Sequence, residues 1–164
     1  MKDDSENILV ITGPTATGKS EIAARLAASL DGEVLSADSM QVYEGMDIGT
    51  AKPTKELLKL APHHLIGFVK PSDDYSVAKY QKKARSLVAD ILRRRRLPII
   101  AGGSGLYVRA IIDPVDFPTR DPESDQRLTL EKLAEESPES LFEMLKEVDP
   151  QGAIDIDRNN TRRI

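Results

Sequence analysis

Thr12-Gly13-Pro14-Thr15-Ala16-Thr17-Gly18-Lys19-Ser20 carries the pattern G-x-x-x-x-G-K-[ST] between two elements that give it physical meaning. Upstream, Ile8-Leu9-Val10-Ile11 is a short apolar run that reads as a buried strand. Downstream, Ile22, Ala23, Leu26 and Leu30 recur at helical spacing. A strand, a glycine-bearing turn and a helix start together form a phosphate-binding loop. Its N–H groups point inward around an anion, and the helix N-terminus adds partial positive charge. Gly13, Pro14, Thr15, Ala16, Thr17, Gly18, Lys19 and Ser20 are therefore expected to hold a diphosphate or polyphosphate. Lys19 is the mobile cation, and the Ser20 hydroxyl is the expected ligand to Mg²⁺.

The rest of the composition narrows the class. The chain has 164 residues, enough for one domain with a small insertion. It has no cysteine, which excludes disulfides and thiolate metal sites. No apolar run approaches membrane-spanning length, and Met1-Lys2-Asp3-Asp4-Ser5-Glu6 lacks signal-peptide character. The expectation is a soluble cytoplasmic protein with no membrane partner. A net charge of −4 argues against indiscriminate nucleic-acid binding through a broad basic face.

Strand and helix patterns then alternate. Val34–Ala37 reads as a second strand ending at Asp38, and Pro53–Glu56 opens a short helix reaching Leu60. His63–Phe68 reads as a third strand or an extended connection. Ser72 to Asp74 is positioned to cap a long helix with Val77, Tyr80, Ala84, Leu87, Val88, Ile91 and Leu92 on one face. Leu97–Ala101 is the next strand, followed by Gly102-Gly103-Ser104-Gly105 and a helix over Leu106–Ile112. Beyond Asp113, Pro114, Pro118 and Pro122 punctuate a linker to two helices, Glu123–Glu136 and Pro138–Glu147, and Asp149-Pro150 closes them. Asp157–Ile164 reads as the start of another helix.

This alternation predicts an α/β fold, a P-loop NTPase-like parallel sheet with helices on both faces plus a small helical insertion. The expected division is a core over 1–113, an insertion over 114–150 and the start of a return to the core over 151–164.

Ligands of such sheets lie beyond the carboxyl ends of the strands, so the phosphate loop, Asp38 and the Gly102–Gly105 loop are expected to converge. Asp38 is placed to ligate Mg²⁺, to act as a general base, or simply to cap a turn. Ser39 and Gln41 offer hydrogen-bonding groups for reading a base edge. The strand Pro98–Ala101 runs into glycine without the acid that nucleotide hydrolases use to hold Mg²⁺, which disfavours an ATPase or switch GTPase. Arg93–Arg96 reads as a solvated helix end. His63 and His64 have no partner at metal spacing, and Tyr75, Tyr80 and Tyr107 read as core.

Taken together, Gly13–Ser20, Ser36-Ala37-Asp38-Ser39-Met40-Gln41-Val42-Tyr43 and Gly45-Met46-Asp47-Ile48-Gly49-Thr50-Ala51-Lys52-Pro53 resemble the tRNA dimethylallyltransferases. Pro62–Leu65, Gly102–Tyr107 and Glu147–Pro150 extend the likeness in the same order. The resemblance implies transfer of a dimethylallyl group from dimethylallyl diphosphate to the exocyclic amine of the adenosine beside the anticodon, in tRNAs reading codons that begin with U. It implies Asp38 as general base, Thr15 as donor to the bridging oxygen of the departing diphosphate, and Mg²⁺ near Ser20. Asp38, Ser39, Met40 and Gln41 would line the base pocket, and Ser104 would contact RNA. Arg127 on the insertion would contact the anticodon stem-loop, and Arg162 and Arg163 are candidate tRNA-binding residues that could clamp phosphates or simply cap a helix.

Members of the resembled family run well beyond this length. The expectation is a monomeric piece of a longer enzyme that binds diphosphate and transfers weakly. The family also shows His-Pro-Asn-Asp where this chain has Asp157-Arg158-Asn159-Asn160. Three alternatives stay open: an adenylate isopentenyltransferase, a small-molecule ATP kinase, and a non-catalytic module.

Overall fold

A computed structural model of the chain describes residues 7–114, 117 and 125–164. The first six residues, Pro118, Pro122 and the expected helix start at Glu123 lie outside the described residues. The chain divides into two compact units, 1–119 and 120–164.

In the first unit, strands β1 (Leu9–Thr12), β2 (Gly32–Ser36), β3 (His63–His64) and β4 (Leu97–Gly102) form a parallel sheet in the order β1-β4-β2-β3. β4 is thus central, with Ile99 beside both Leu9 and Val34, and Ile100 beside both Val10 and Leu35. Side chains alternate across a strand, so each apolar run supplies two cores. Leu9, Ile11, Val34, Ile99 and Ala101 pack with Ala23, Leu26 and Ala27 of helix α1 (Lys19–Ser29). Val10, Leu35 and Ile100 face the other way, toward Tyr80, Ala84, Val88 and Ile91 of the long helix and Tyr107, Val108 and Ile111 of the one after β4. Helices therefore cover both faces, as expected.

Helix α2 (Lys55–Leu60) is capped by Thr54, whose side chain accepts from the Leu57 N–H. The long helix, α3, spans Val77–Arg93, and its cap is Ser76, which accepts from the Lys79 N–H at 3.3 Å. The expected cap at Ser72–Asp74 is corrected by this. Those residues form a preceding turn, with Asp73 N–H donating to the Lys70 carbonyl at 2.9 Å. Ser76 wins because it immediately precedes the first residue of the buried stripe. Helix α4 spans Gly105–Ile112. The buried Gln81 amide donates to the Ala110 carbonyl at 2.9 Å and its oxygen accepts from the Phe117 N–H at 3.0 Å, which ties α3 to α4.

The second unit contains α5 (Asp125–Glu136), α6 (Pro138–Val148) and α7 (Pro150–Ile154). Ser137 caps α6, with proline at its first position where no N–H is needed. Asp149-Pro150 ends α6, as expected, but also starts a further short helix. The Asp149 carboxylate accepts from the Gly152 N–H at 2.9 Å, and Pro150 takes the first helical position. The tail is also corrected. Residues 157–164 form turns, with the Asp157 carboxylate accepting from the Asn159 N–H at 2.8 Å, and make no helix. An Asx turn at Asp157 competes there with helical bonding.

The arginine run has a role that the sequence did not reveal. β2 is buried along its whole length yet carries Glu33, whose side chain is only 3% exposed. Arg94 grips both carboxylate oxygens, Arg96 donates to Oε1 at 3.0 Å, and His64 Nε2 lies 2.7 Å from Oε2. The Arg94 guanidinium foremost, with help from His64 and Arg96 and against the penalty of burial, lowers the Glu33 pKa from 4.5 to about 2. A carboxyl whose folded pKa is depressed stabilises the fold fully above its unfolded value. That contribution is lost as pH falls through 4.5 toward about 2. Thermal unfolding should therefore show Glu33→Ala losing about 3 kcal/mol at pH 7. The variant's stability should also decline less than the wild type's between pH 4.5 and about 2.

Candidate functional site

The loop after β1 bends through Gly13 at φ 156°, Ala16 at 64° and Gly18 at 79°. Gly18 is the N-cap of α1 and uses no side chain to cap it, so the N–H groups of the first turn remain directed at the loop's interior. A Cβ on Gly18 would meet nothing within 4 Å, so its left-handed backbone and not crowding calls for glycine. Thr17 Oγ1 donates to the Pro14 carbonyl at 2.9 Å, while Lys19 Nζ is folded back onto that carbonyl and lies 3.4 Å from Thr17 Oγ1. The loop is thus cross-braced, with its cation bonded within it.

A cleft of about 260 Å³ opens here. Residues 15–21 form one side of it, and Asp38, Gln41 and the end of β4 contribute the floor. Thr15, Lys19, Ser20 and Asp38, expected from sequence to act together, all line it. Ser39, Met40 and Ser104 are not among its lining residues. Arg127, Arg162 and Arg163 belong to the second unit, where Arg127 Nε pairs with Glu131 at 2.8 Å and Arg163 takes part in a turn to the Asn160 carbonyl.

Asp38 is held through one oxygen only. Its Oδ1 accepts from the N–H groups of Met40 at 2.8 Å and Gln41 at 3.3 Å, which fixes the rotamer. The same carboxylate therefore braces a turn while Asp38 lines the cleft. Behind it stands Tyr107, packed 4.2 Å from the Tyr80 ring. Burial first, then the neighbouring Tyr43 and the Asp38 carboxylate, raise the Tyr107 phenol above its ordinary pKa. Tyr80 donates to the Ser36 carbonyl at 2.9 Å and so anchors the strand end that leads to Asp38.

Ser104 tightens the same junction. Its N–H donates to the Ala37 carbonyl at 3.2 Å, and its Oγ accepts from the Ser39 N–H at 3.2 Å. Gln41 is equally committed. Its oxygen accepts from Ser36 Oγ at 2.9 Å, and its nitrogen donates to the carbonyls of Thr50 and Ala51, each at 3.2 Å. Thr50, Ala51 and Leu57 thereby become a wall of the cleft. Residue-level sequence reasoning missed this wall. Its only signal was the Gly45–Pro53 stretch, which carried the resemblance as a block.

The absent acid at the end of β4 has a steric cause. A Cβ at Gly102 would lie 2.1 Å from the Ala37 carbonyl oxygen, so no side chain fits. Among the described residues no group of three or more His, Asp or Glu is arranged to hold a metal ion. Mg²⁺ keeps several waters and takes few protein oxygens, so a lone hydroxyl in a phosphate site is the kind of donor it would use. Ser20 is such a donor in the cleft.

Two family models match the chain: IPP transferase over residues 41–164 and isopentenyl transferase over residues 6–68. The tRNA dimethylallyltransferase of Caldanaerobacter subterraneus subsp. tengcongensis is 49% identical over 158 residues, covering 96% of this chain and 50% of that protein. The full-length tRNA isopentenylpyrophosphate transferase from Bacillus halodurans superposes with a TM-score of 0.67 at 45% identity, over 96% of this chain and 52% of the other. A eukaryotic dimethylallyltransferase acting on tRNA gives a TM-score of 0.82 at 30% identity, over 95% of this chain and 39% of the other. The chain thus spans about half the length of the curated relatives it matches. No helix among the described residues is long and apolar enough to cross a membrane.

Gly102→Ala should displace the Ala37–Ser39 segment and cost about 3 kcal/mol in denaturant unfolding. Gly103→Ala, whose Cβ would meet only the Gly13 carbonyl at 3.5 Å, should cost under about 1 kcal/mol.

Proposed function

This chain belongs to the IPP transferase family, and on that premise we propose that it carries the donor site and general base of a tRNA dimethylallyltransferase. The supporting observation is the single cleft that joins the phosphate loop to Asp38. In the proposed reaction the acceptor is the exocyclic amine of the adenosine beside the anticodon, and the donor is dimethylallyl diphosphate. The target base leaves its stack to reach the cleft.

The loop N–H groups and Lys19 bind the diphosphate and stabilise charge as it departs. Thr15 donates to the oxygen bridging carbon and phosphorus. The allylic C–O bond breaks as the new C–N bond forms, and the second oxygen of Asp38 accepts the proton lost by the amine. An allylic carbon tolerates positive charge, so leaving-group stabilisation dominates. One well-placed donor of this kind contributes about 3 kcal/mol. Ser20 would hold Mg²⁺, which would supply further neutralisation of the leaving group when bound. Ser39, Met40 and Ser104 sit beside the base as candidate RNA contacts. Arg127, Arg162 and Arg163 are candidates on the helical unit, and contact with the anticodon stem-loop is assigned to that unit.

Calorimetric titration with dimethylallyl diphosphate and, separately, ATP, in the presence of Mg²⁺, tests the donor site. Selective binding of the prenyl diphosphate, weakened at least about a hundredfold by Lys19→Ala, is the expected result. Preference for ATP would replace this function with a kinase. In a transfer assay Asp38→Asn should lower kcat by about 10²–10⁴. Equal turnover by the variant would remove Asp38 from the role of base.

A further inference from the structure

Among the described residues, five other than glycine hold a positive φ: Ala16, Asp31, Ala51, Leu65 and Arg95. Two of these are alanines, and both line the cleft. Left-handed backbone favours glycine, so each of these alanines puts a methyl group on the cleft at a position where the backbone alone would prefer none. Ala16 lies within the phosphate loop itself. Ala51, at φ 48°, stands on the wall, in company with Leu57.

The strained conformation is held from several sides. Ala51 N–H donates to the Ile48 carbonyl at 3.1 Å, and its own carbonyl receives the Gln41 amide. Lys52 Nζ, next along the chain, donates to the Tyr43 carbonyl at 2.6 Å and pairs with Asp47 at 2.7 Å. The wall is therefore fixed relative to β2 and does not depend on a ligand to form.

Its chemistry is one-sided. Lys19, Ser20 and the loop N–H groups make the other side hydrogen-bonding, with Glu21 there paired to Arg25. Ala51 and Leu57 offer hydrocarbon, and the Thr50 hydroxyl in the same lining is engaged by the Met46 carbonyl. A nucleobase edge would need free donors and acceptors. The carbonyls at 50 and 51 and both ends of the Gln41 amide are already hydrogen-bonded to one another and to Ser36, with both amide hydrogens engaged. The wall thus suits the hydrocarbon end of an amphipathic donor.

We propose that Ala51 and Leu57, held in place by Gln41, set the length of prenyl chain that the cleft accepts. This rests on the cleft being a prenyl diphosphate site. Gln41 acts here as a positioning residue, and the wall excludes chains longer than one isoprene unit by contact.

The test is titration of the 164-residue chain with inorganic diphosphate, dimethylallyl diphosphate and geranyl diphosphate. The wild type should prefer the dimethylallyl over the geranyl ester by about tenfold or more. Ala51→Gly and Leu57→Ala should each reduce that preference by about tenfold, as should Gln41→Leu. Ala51→Gly relieves backbone strain, so it carries the test if Gln41→Leu fails to fold. A preference unchanged in both Ala51→Gly and Leu57→Ala overturns the proposal. Wild-type binding of inorganic diphosphate without either prenyl ester overturns it too, while leaving a diphosphate site. Binding of no diphosphate at all overturns both this proposal and the donor site on which it rests.

Discussion

The contact between the Gly102 backbone and the Ala37 carbonyl governs the geometry at the carboxyl edge of the sheet. β4 lies between β1 and β2, so its end separates the phosphate loop from the segment bearing Asp38. With no side chain at Gly102, the two backbones close up, and the Ala37 N–H donates to the Ala101 carbonyl at 2.8 Å. Ser104, just beyond, then reaches both the Ala37 carbonyl and the Ser39 N–H. A larger residue would separate those segments and open the junction. The close approach and a side chain at Gly102 are thus mutually exclusive.

The same strand that delivers Asp38 holds polar groups in a fully buried setting, and each is answered. Glu33 at its start draws two arginines and a histidine from α3's end, the β4 entry and β3. Ser36 at its end is bonded through its hydroxyl to Gln41 and through its carbonyl to Tyr80. A buried charge without partners is costly, but with these it ties three elements to β2. The ionic clamp lies at one end of the strand, and a neutral network lies at the end facing the cleft. Lys19 stands apart from that clamp, in the loop that would hold the proposed diphosphate.

Much of this was legible in the residues. The phosphate loop needs only a strand, two glycines, Lys19 and Ser20 in series, all local. The two faces of the sheet follow from unbroken apolar runs flanked by amphipathic helices. Asp38 was legible because a strand end fixes where the next residue lies. Caps were less so: Ser72–Asp74 and Ser76 lie close together and the docked helix selects Ser76, while Asp149 ends α6 as read but also opens α7. Arg94 and Arg96 looked like solvent-exposed charge because their partner is sixty-odd positions away in the chain, at Glu33.

The sequence by itself determined the alternating elements, the phosphate loop and the placement of Asp38 after a strand. All are set by short-range backbone geometry and by the period of apolar residues. Only the tertiary structure decided what Gln41 does, why β4 ends in glycine, and where Ala51 stands. Those depend on which carbonyl or amide comes within hydrogen-bonding distance once distant segments pack, and no local pattern encodes such a distance.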